Sequence, residues 1–152
     1  MRQRYGSIAI ATLTMLALAA CNPGPRDIDL GREECAHCRM TVADARFAAE
    51  LVTKKGKVHV YDAVEWAAAA VNAKDIPEED INSLWVMRYD EPGTLIDAAK
   101  AWYLRHEEVK SPMGMNLAAY ETEAAYATAA ARNDGKLYRW LGVRLLVAKE
   151  WE

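Results

Sequence analysis

The chain has 152 residues, 52% of them hydrophobic, and its 19 Lys and Arg against 22 Asp and Glu leave a formal charge of −3. That length suits one modest domain, and the mildly acidic balance argues against nucleic acid as a partner. Beyond the N-terminal run no segment is apolar over the roughly 20 residues that a membrane-spanning helix needs, so a helical span is excluded there.

The N-terminus is read first. Arg2 and Arg4 precede an apolar run from Ile8 to Ala20, which ends in Leu18-Ala19-Ala20-Cys21. A basic start, a short apolar stretch and small residues before a cut site describe a secretory signal peptide over residues 1–20. The segment resembles the lipobox of bacterial lipoproteins, which implies that Cys21 is lipidated and becomes the first mature residue. Several acyl chains on one residue meet the requirement for stable anchoring. The mature chain then keeps 132 residues, and loss of two arginines takes its charge from −3 to −5. Asn22-Pro23-Gly24-Pro25-Arg26-Asp27 is turn-rich, so residues 21–31 read as a tether and 32–152 as the folded domain. The expected location is the periplasmic face of a bacterial membrane. By resemblance to enterobacterial sorting signals, Asn22 favours the outer membrane over the inner.

Within the domain, Thr41 to Val52 reads as a turn and then a strand, the mostly apolar Phe47 to Val52 being ambiguous in period, with Lys54 to Lys57 as a polar connection and Val58 to Tyr61 as the hairpin partner. Asp62 is placed to N-cap an Ala-rich helix from about Ala63 to Asn72. Pro77 and the acids around it mark a loop. Leu84 to Tyr89 reads as a strand and Glu91-Pro92-Gly93-Thr94 as a turn. Ile96 to Leu104 fits helix or strand, and Met113 to Leu117 reads as a strand. A helix over Glu121 to Arg132 ends at Asn133-Asp134-Gly135. Leu137 to Val147 closes the domain as a strand or a mixed segment. The order strand, connection, strand, Ala-rich helix occurs twice, with Met113-Gly114-Met115 matched to Val58-His59-Val60. Two packed ββα halves, an α+β fold, are the expectation.

Cys35-Ala36-His37-Cys38-Arg39-Met40 is the densest group of soft donors. Thiolate and thioether sulfur select Cu(I) over hard cations. In an extended segment Cys38 and Met40 share a side, and the charge of Arg39 favours a neighbouring thiolate. Other readings compete. Haem attachment needs His directly after the second Cys, where Arg39 stands. Structural zinc usually needs a second ligand pair. A thioredoxin-like motif needs a preceding buried strand, for which Asp27 to Gly31 is too polar and too short. A plain Cys35–Cys38 disulfide suits an oxidising compartment. Copper, redox chemistry and zinc all stay open on these residues alone.

Ser111-Pro112-Met113-Gly114-Met115 is the second group. Met113 and Met115 would share one face of a strand and offer thioethers, although Met most often fills cores. His37 lies inside the Cys loop, His59 faces opposite to Val58 and Val60, and His106 ends an element; none is assigned as a ligand. Trp66, Trp85, Trp102, Trp140 and Trp151 read as core or interface anchors.

In combination these features resemble the NosL family, the copper-binding lipoproteins of nitrous oxide reductase assembly. The matching residues run in order: the lipobox at Cys21, Cys35 to Met40, Phe47-Ala48-Ala49-Glu50, Val60-Tyr61-Asp62, Leu95-Ile96-Asp97-Ala98, Ala101-Trp102-Tyr103 and Ser111-Pro112-Met113-Gly114. Tyr61 stands where Phe is expected and keeps an aromatic ring. The resemblance implies a Cu(I) metallochaperone, not an enzyme, with two ββα units similar to treble-clef proteins. It implies a partner, the periplasmic NosD component of an ABC-type assembly complex. By motif position Cys38, Met40 and Met113 lead as copper ligands, with Cys35 and Met115 behind them. The rival is a thiol-disulfide oxidoreductase or redox-sensing lipoprotein using Cys35 and Cys38. A third reading is an adaptor lipoprotein with a plain disulfide.

Overall fold

The computed structural model describes residues 22–132 and 134–151. The expected signal peptide over residues 1–20 and the expected lipidation position Cys21 lie outside the described residues. The fold is α+β. Its first unit comprises β1 (Ala49–Thr53), β2 (Val58–Tyr61) and α1 (Val64–Asn72). After a single 3-10 turn at Glu78–Asp80 come β3 (Ile81–Met87) and β4 (Leu95–Asp97), completing an antiparallel sheet in the order β2-β1-β3-β4. The second unit comprises β5 (Trp102–Arg105), β6 (Leu117–Tyr120) and α2 (Glu123–Ala130). With β7 (Lys136–Tyr138) it forms a second antiparallel sheet, β6-β5-β7, and α3 (Trp140–Trp151) closes the chain. No helix among the described residues is long and apolar enough to cross a membrane.

The ambiguous period of Ala49 to Val52 has a physical cause. All four side chains are buried. Alternation along a strand sends Ala49 and Leu51 to one face and Glu50 and Val52 to the other. Ala49 and Leu51 join the main core under α1. The opposite face is covered by the N-terminal stretch, where the Arg26 N–H donates to Glu50 Oε2 at 3.1 Å. Ile28 is buried in the core itself. Residues 23–28, expected as a tether, therefore run bound along the sheet without regular structure of their own.

The Met segment is not a strand. Gly114 and Asn116 adopt φ of 78° and 59°, left-handed backbone that an extended strand cannot hold, and β6 begins only at Leu117. The doubled ββα order is present, but Leu117–Tyr120 occupies the place of Val58–Tyr61. Asp62 is also not a helix cap. Ala63 is the N-cap of α1, and no side chain caps that end. By contrast Thr122 caps α2, its Oγ1 accepting from the Ala125 N–H at 3.1 Å.

Helix α3, which the sequence left as strand or mixed, packs on α1. Val143, Leu146 and Val147 share a core with Ala67, Ala68, Ala70 and Val71, where alanine lets the helix axes approach. A reciprocal pair holds the crossing: Asn72 Nδ2 donates to the Arg144 carbonyl at 2.9 Å, and Arg144 Nε donates to Asn72 Oδ1 at 3.0 Å. Phe47, Leu104, Val109, Ala118 and Tyr120 form a smaller core beneath α2.

Gly135, expected as a helix terminator, lies beyond the end of α2 and serves close approach to β5. A Cβ there would collide with Leu104 Cδ1 and lie 2.8 Å from the Arg105 carbonyl oxygen. The backbone atom cannot step aside as a side chain can. Gly135→Ala is expected to cost about 1–3 kcal/mol as overpacking, read as a lower midpoint in urea unfolding.

Candidate metal centre

The Cys segment forms a tight turn. The Cys35 N–H donates to the Met40 carbonyl at 2.8 Å and the Arg39 N–H to the Cys35 carbonyl at 3.0 Å. Arg39 takes φ of 64° to close it. The Ala36 N–H donates to the Val60 carbonyl at 2.7 Å, which docks the turn on β2 just before Asp62. As a result Cys35 Sγ, Cys38 Sγ and a carboxylate oxygen of Asp62 all lie within 4.8 Å of one another.

The three groups differ in environment. Cys35 and Asp62 are buried and Cys38 is half-buried. Both cysteines are free thiols. Burial pushes the Cys35 thiol up, against backbone N–H groups of Cys38, Asp62 and His37 that pull it down. Burial also raises Asp62, partly offset by hydrogen bonds from the two thiols. Cys38 Sγ donates to Asp62 Oδ2 at 3.9 Å. Asp62 Oδ1 is buried without a partner. An unsatisfied buried carboxylate oxygen beside two sulfurs, one of them ringed by N–H dipoles, suits a cation with thiolate ligands.

Three residues after Asp62, in the first turn of α1, Glu65 is fully buried. Its Oε1 accepts from Ser111 Oγ at 2.6 Å. Ser111 Oγ in turn accepts from the Asn116 N–H at 2.9 Å, and the Ser111 carbonyl accepts from Gly114 N–H at 3.1 Å. Ser111 is thus the knot of the Met loop, and Glu65 ties that knot to the helix that follows Asp62. Burial raises the Glu65 carboxyl, against the Ser111 hydrogen bond. The nearby Glu50 carboxyl in β1 is raised chiefly by burial too.

The structure brings Cys35 and Cys38 together with Asp62, which the motif reading had missed as a site residue. Met115 is buried and shares the main core with Cys35. Met113 lies half-buried in the Met loop, and Met40 is 56% exposed. Because the segment turns rather than extends, Cys38 and Met40 differ in exposure. The Arg39 side chain is exposed and pairs with Glu34 at 3.9 Å. His37 stacks on Trp66 with ring centroids 4.0 Å apart, and Trp66 meets Trp151 at 4.6 Å. His59 is half-buried in β2, and His106 Nδ1 accepts from the Glu108 N–H at 3.2 Å. The signal that could have found Asp62 is its position: an acid directly after a strand whose edge receives the Cys loop.

The family model described as NosL matches residues 27–145. Among solved structures the chain is similar to one described as the crystal structure of the copper chaperone NosL from Shewanella denitrificans. The identity is 20%, the TM-score is 0.67, and the alignment covers 78% of this chain and 93% of that one. At this identity the likeness establishes the fold. No curated protein matches the chain.

The raised carboxyls have a consequence for stability. The folded state holds the Glu65 and Glu50 protons more tightly than the unfolded chain does. Their stabilisation is complete below the ordinary carboxylate pKa of about 4.3 and is lost as pH rises through the raised folded values. Metal-free protein should therefore melt at a lower temperature near pH 8 than near pH 5, and Glu65→Gln should flatten that slope; thermal unfolding at the two values of about pH 5 and about pH 8 checks this.

Proposed function

The chain belongs to the NosL family, and we propose that it is a copper metallochaperone. It carries Cu(I) as cargo on an extracytoplasmic membrane surface, anchored through Cys21, and hands the metal on for maturation of nitrous oxide reductase. The NosD component of the assembly complex is the proposed receiver, and the outer membrane is the preferred location. The observation that carries this reading is the approach of Cys35, Cys38 and Asp62 within 4.8 Å, on a turn whose last residue is the exposed Met40.

The ligand set is proposed as Cys38, Met40 and Met113, with Cys35 and Met115 in support. These are sulfur donors, the class that suits Cu(I). Their exposure is graded from buried Cys35 and Met115 through half-buried Cys38 and Met113 to exposed Met40. A metal held along such a gradient keeps one open side. An incoming sulfur or imidazole attacks there while the buried donors still hold, so copper passes by ligand exchange without being released to water.

Asp62 has a proton role in this scheme. A thiol must lose its proton to bind metal. The Asp62 carboxylate stands 3.9 Å from the Cys38 sulfur as its hydrogen-bond acceptor, and burial raises its proton affinity. It takes the Cys38 proton as copper arrives and returns it when copper leaves. The rival oxidoreductase reading gives Met40 and Met113 no role.

Cu(I) affinity is to be measured by chelator competition under anaerobic, reducing conditions. Cys38→Ser, Met40→Leu and Met113→Leu are each expected to weaken binding; unchanged affinity in all three would remove the ligand assignment. Asp62→Asn is expected to lower affinity by about 10–100-fold, the usual cost of losing a group that supports a metal ligand.

A further inference from the structure

The N-terminal stretch meets the domain at a defined point. The Pro23 carbonyl accepts from Asn82 Nδ2 at 2.6 Å. A Cβ on Gly56 would lie 3.8 Å from Pro23 Cβ. Three residues later Arg26 is bound to the buried Glu50, and Ile28 enters the core. The chain therefore reaches the first sheet at the β1–β2 turn and runs along β1 toward the thiols. That turn contains Lys54, Lys55 and Lys57, all exposed. The 3-10 turn lies at the same end, since the Lys54 N–H donates to the Asp80 carbonyl at 2.8 Å.

Strand β2 leads from this turn to Asp62. From Gly56 to Asp62 is six residue steps, a span of about 20 Å at the rise of an extended strand. The thiols and the point where the N-terminal stretch docks thus occupy opposite poles of one hairpin.

We propose that the pole formed by the β1–β2 turn and the 3-10 turn rests on the phospholipid surface, with the thiol cluster held at the pole turned toward the aqueous compartment. This rests on the reading of Cys21 as a lipid anchor. Only Asn22 separates Cys21 from the docked Pro23. Two Cα steps of about 3.8 Å reach at most about 7.6 Å, comparable to the thickness of about 5–8 Å of one headgroup layer. The leash is too short to let the domain roll over while Pro23 stays bound to Asn82.

Charge is not what drives the contact. Lys54, Lys55 and Lys57 stand at this pole with Asp75, Glu78, Glu79 and Asp80, so the face is mixed in sign. The lysines contribute by extending their stems so that their ammonium groups meet lipid phosphates. A copper-receiving protein then meets the metal from the water side, with no need to displace the domain from the bilayer.

The acylated full-length protein, processed in a bacterial host, is reconstituted in vesicles of phosphatidylethanolamine and phosphatidylglycerol. Lysines are labelled with a membrane-impermeant amine reagent, and labelling is followed by peptide mass spectrometry. The comparison protein carries a Gly-Ser insert of about 20 residues between Asn22 and Pro23, with a mean span of about 25 Å. Lys54, Lys55 and Lys57 should label several-fold more slowly in the natural protein than in the insert variant, each normalised to Lys110 beside the Met loop. Equal rates in the two acylated proteins, or protection of Lys110 instead, would overturn the orientation. Intact mass read on the same samples separates a different failure: absence of acyl chains removes the anchor itself, and the orientation with it.

Discussion

The hydrogen bond from Ser111 Oγ to Glu65 Oε1, at 2.6 Å, is the constraint on which the rest of the site depends. It joins two ββα units that share no strand. Glu65 belongs to the first turn of α1, and Ser111 closes the loop that precedes β6. Without that bond the Met loop would still be a loop, because Gly114 and Asn116 turn it locally. Its place beside Cys35, Cys38 and Asp62 rests on this bond together with burial of Met115 in the core that holds Cys35. A buried acid is costly unless it is paired or neutral, and here burial favours the neutral form.

The same few residues explain why this region is poorly satisfied. Asp62 Oδ1, Glu65 Oε2 and Trp66 Nε1 are all buried without partners. They fall within five consecutive positions at the start of one helix. Isolated buried polar atoms usually cost stability. Their concentration beside two free thiols marks a place where stability is traded for readiness to bind. The His37–Trp66–Trp151 stack covers this end of the helix and keeps water from part of it. Glu50, paired with Val60 in the same hairpin, repeats the pattern: its Oε2 accepts from the Arg26 N–H, while its Oε1 is buried without a partner.

Much of the fold was legible from local pattern. The β1–β2 hairpin, α1 and α2 all lie where alternation and alanine content put them, within the usual uncertainty at element ends. Strand β1 was ambiguous because it is buried on both faces, which erases alternation. Helix α3 was missed because its apolar residues serve two surfaces: Val143, Leu146 and Val147 face the core, while Leu141 and Leu145 are exposed. The Met loop was mistaken for a strand because spacing by two mimics a strand, and only the left-handed dihedrals reveal the turn.

The sequence by itself determined the chemistry. Soft donors at Cys35, Cys38, Met40, Met113 and Met115, and a lipobox-like start, are properties of residue type and order that no fold can add. Tertiary structure alone decided which groups meet. Asp62 reads as an ordinary helix cap, and nothing in the pattern singles out Glu65, until the Cys turn and the Met loop close on them from about 24 and 46 positions away in the chain. The residues written as a tether became the cover of a sheet once Glu50 was seen to accept from Arg26. The physical reason is the same in each case. Local pattern reports how a segment meets water or a core, whereas a site depends on pairings across the fold that leave no mark on either partner's own neighbourhood.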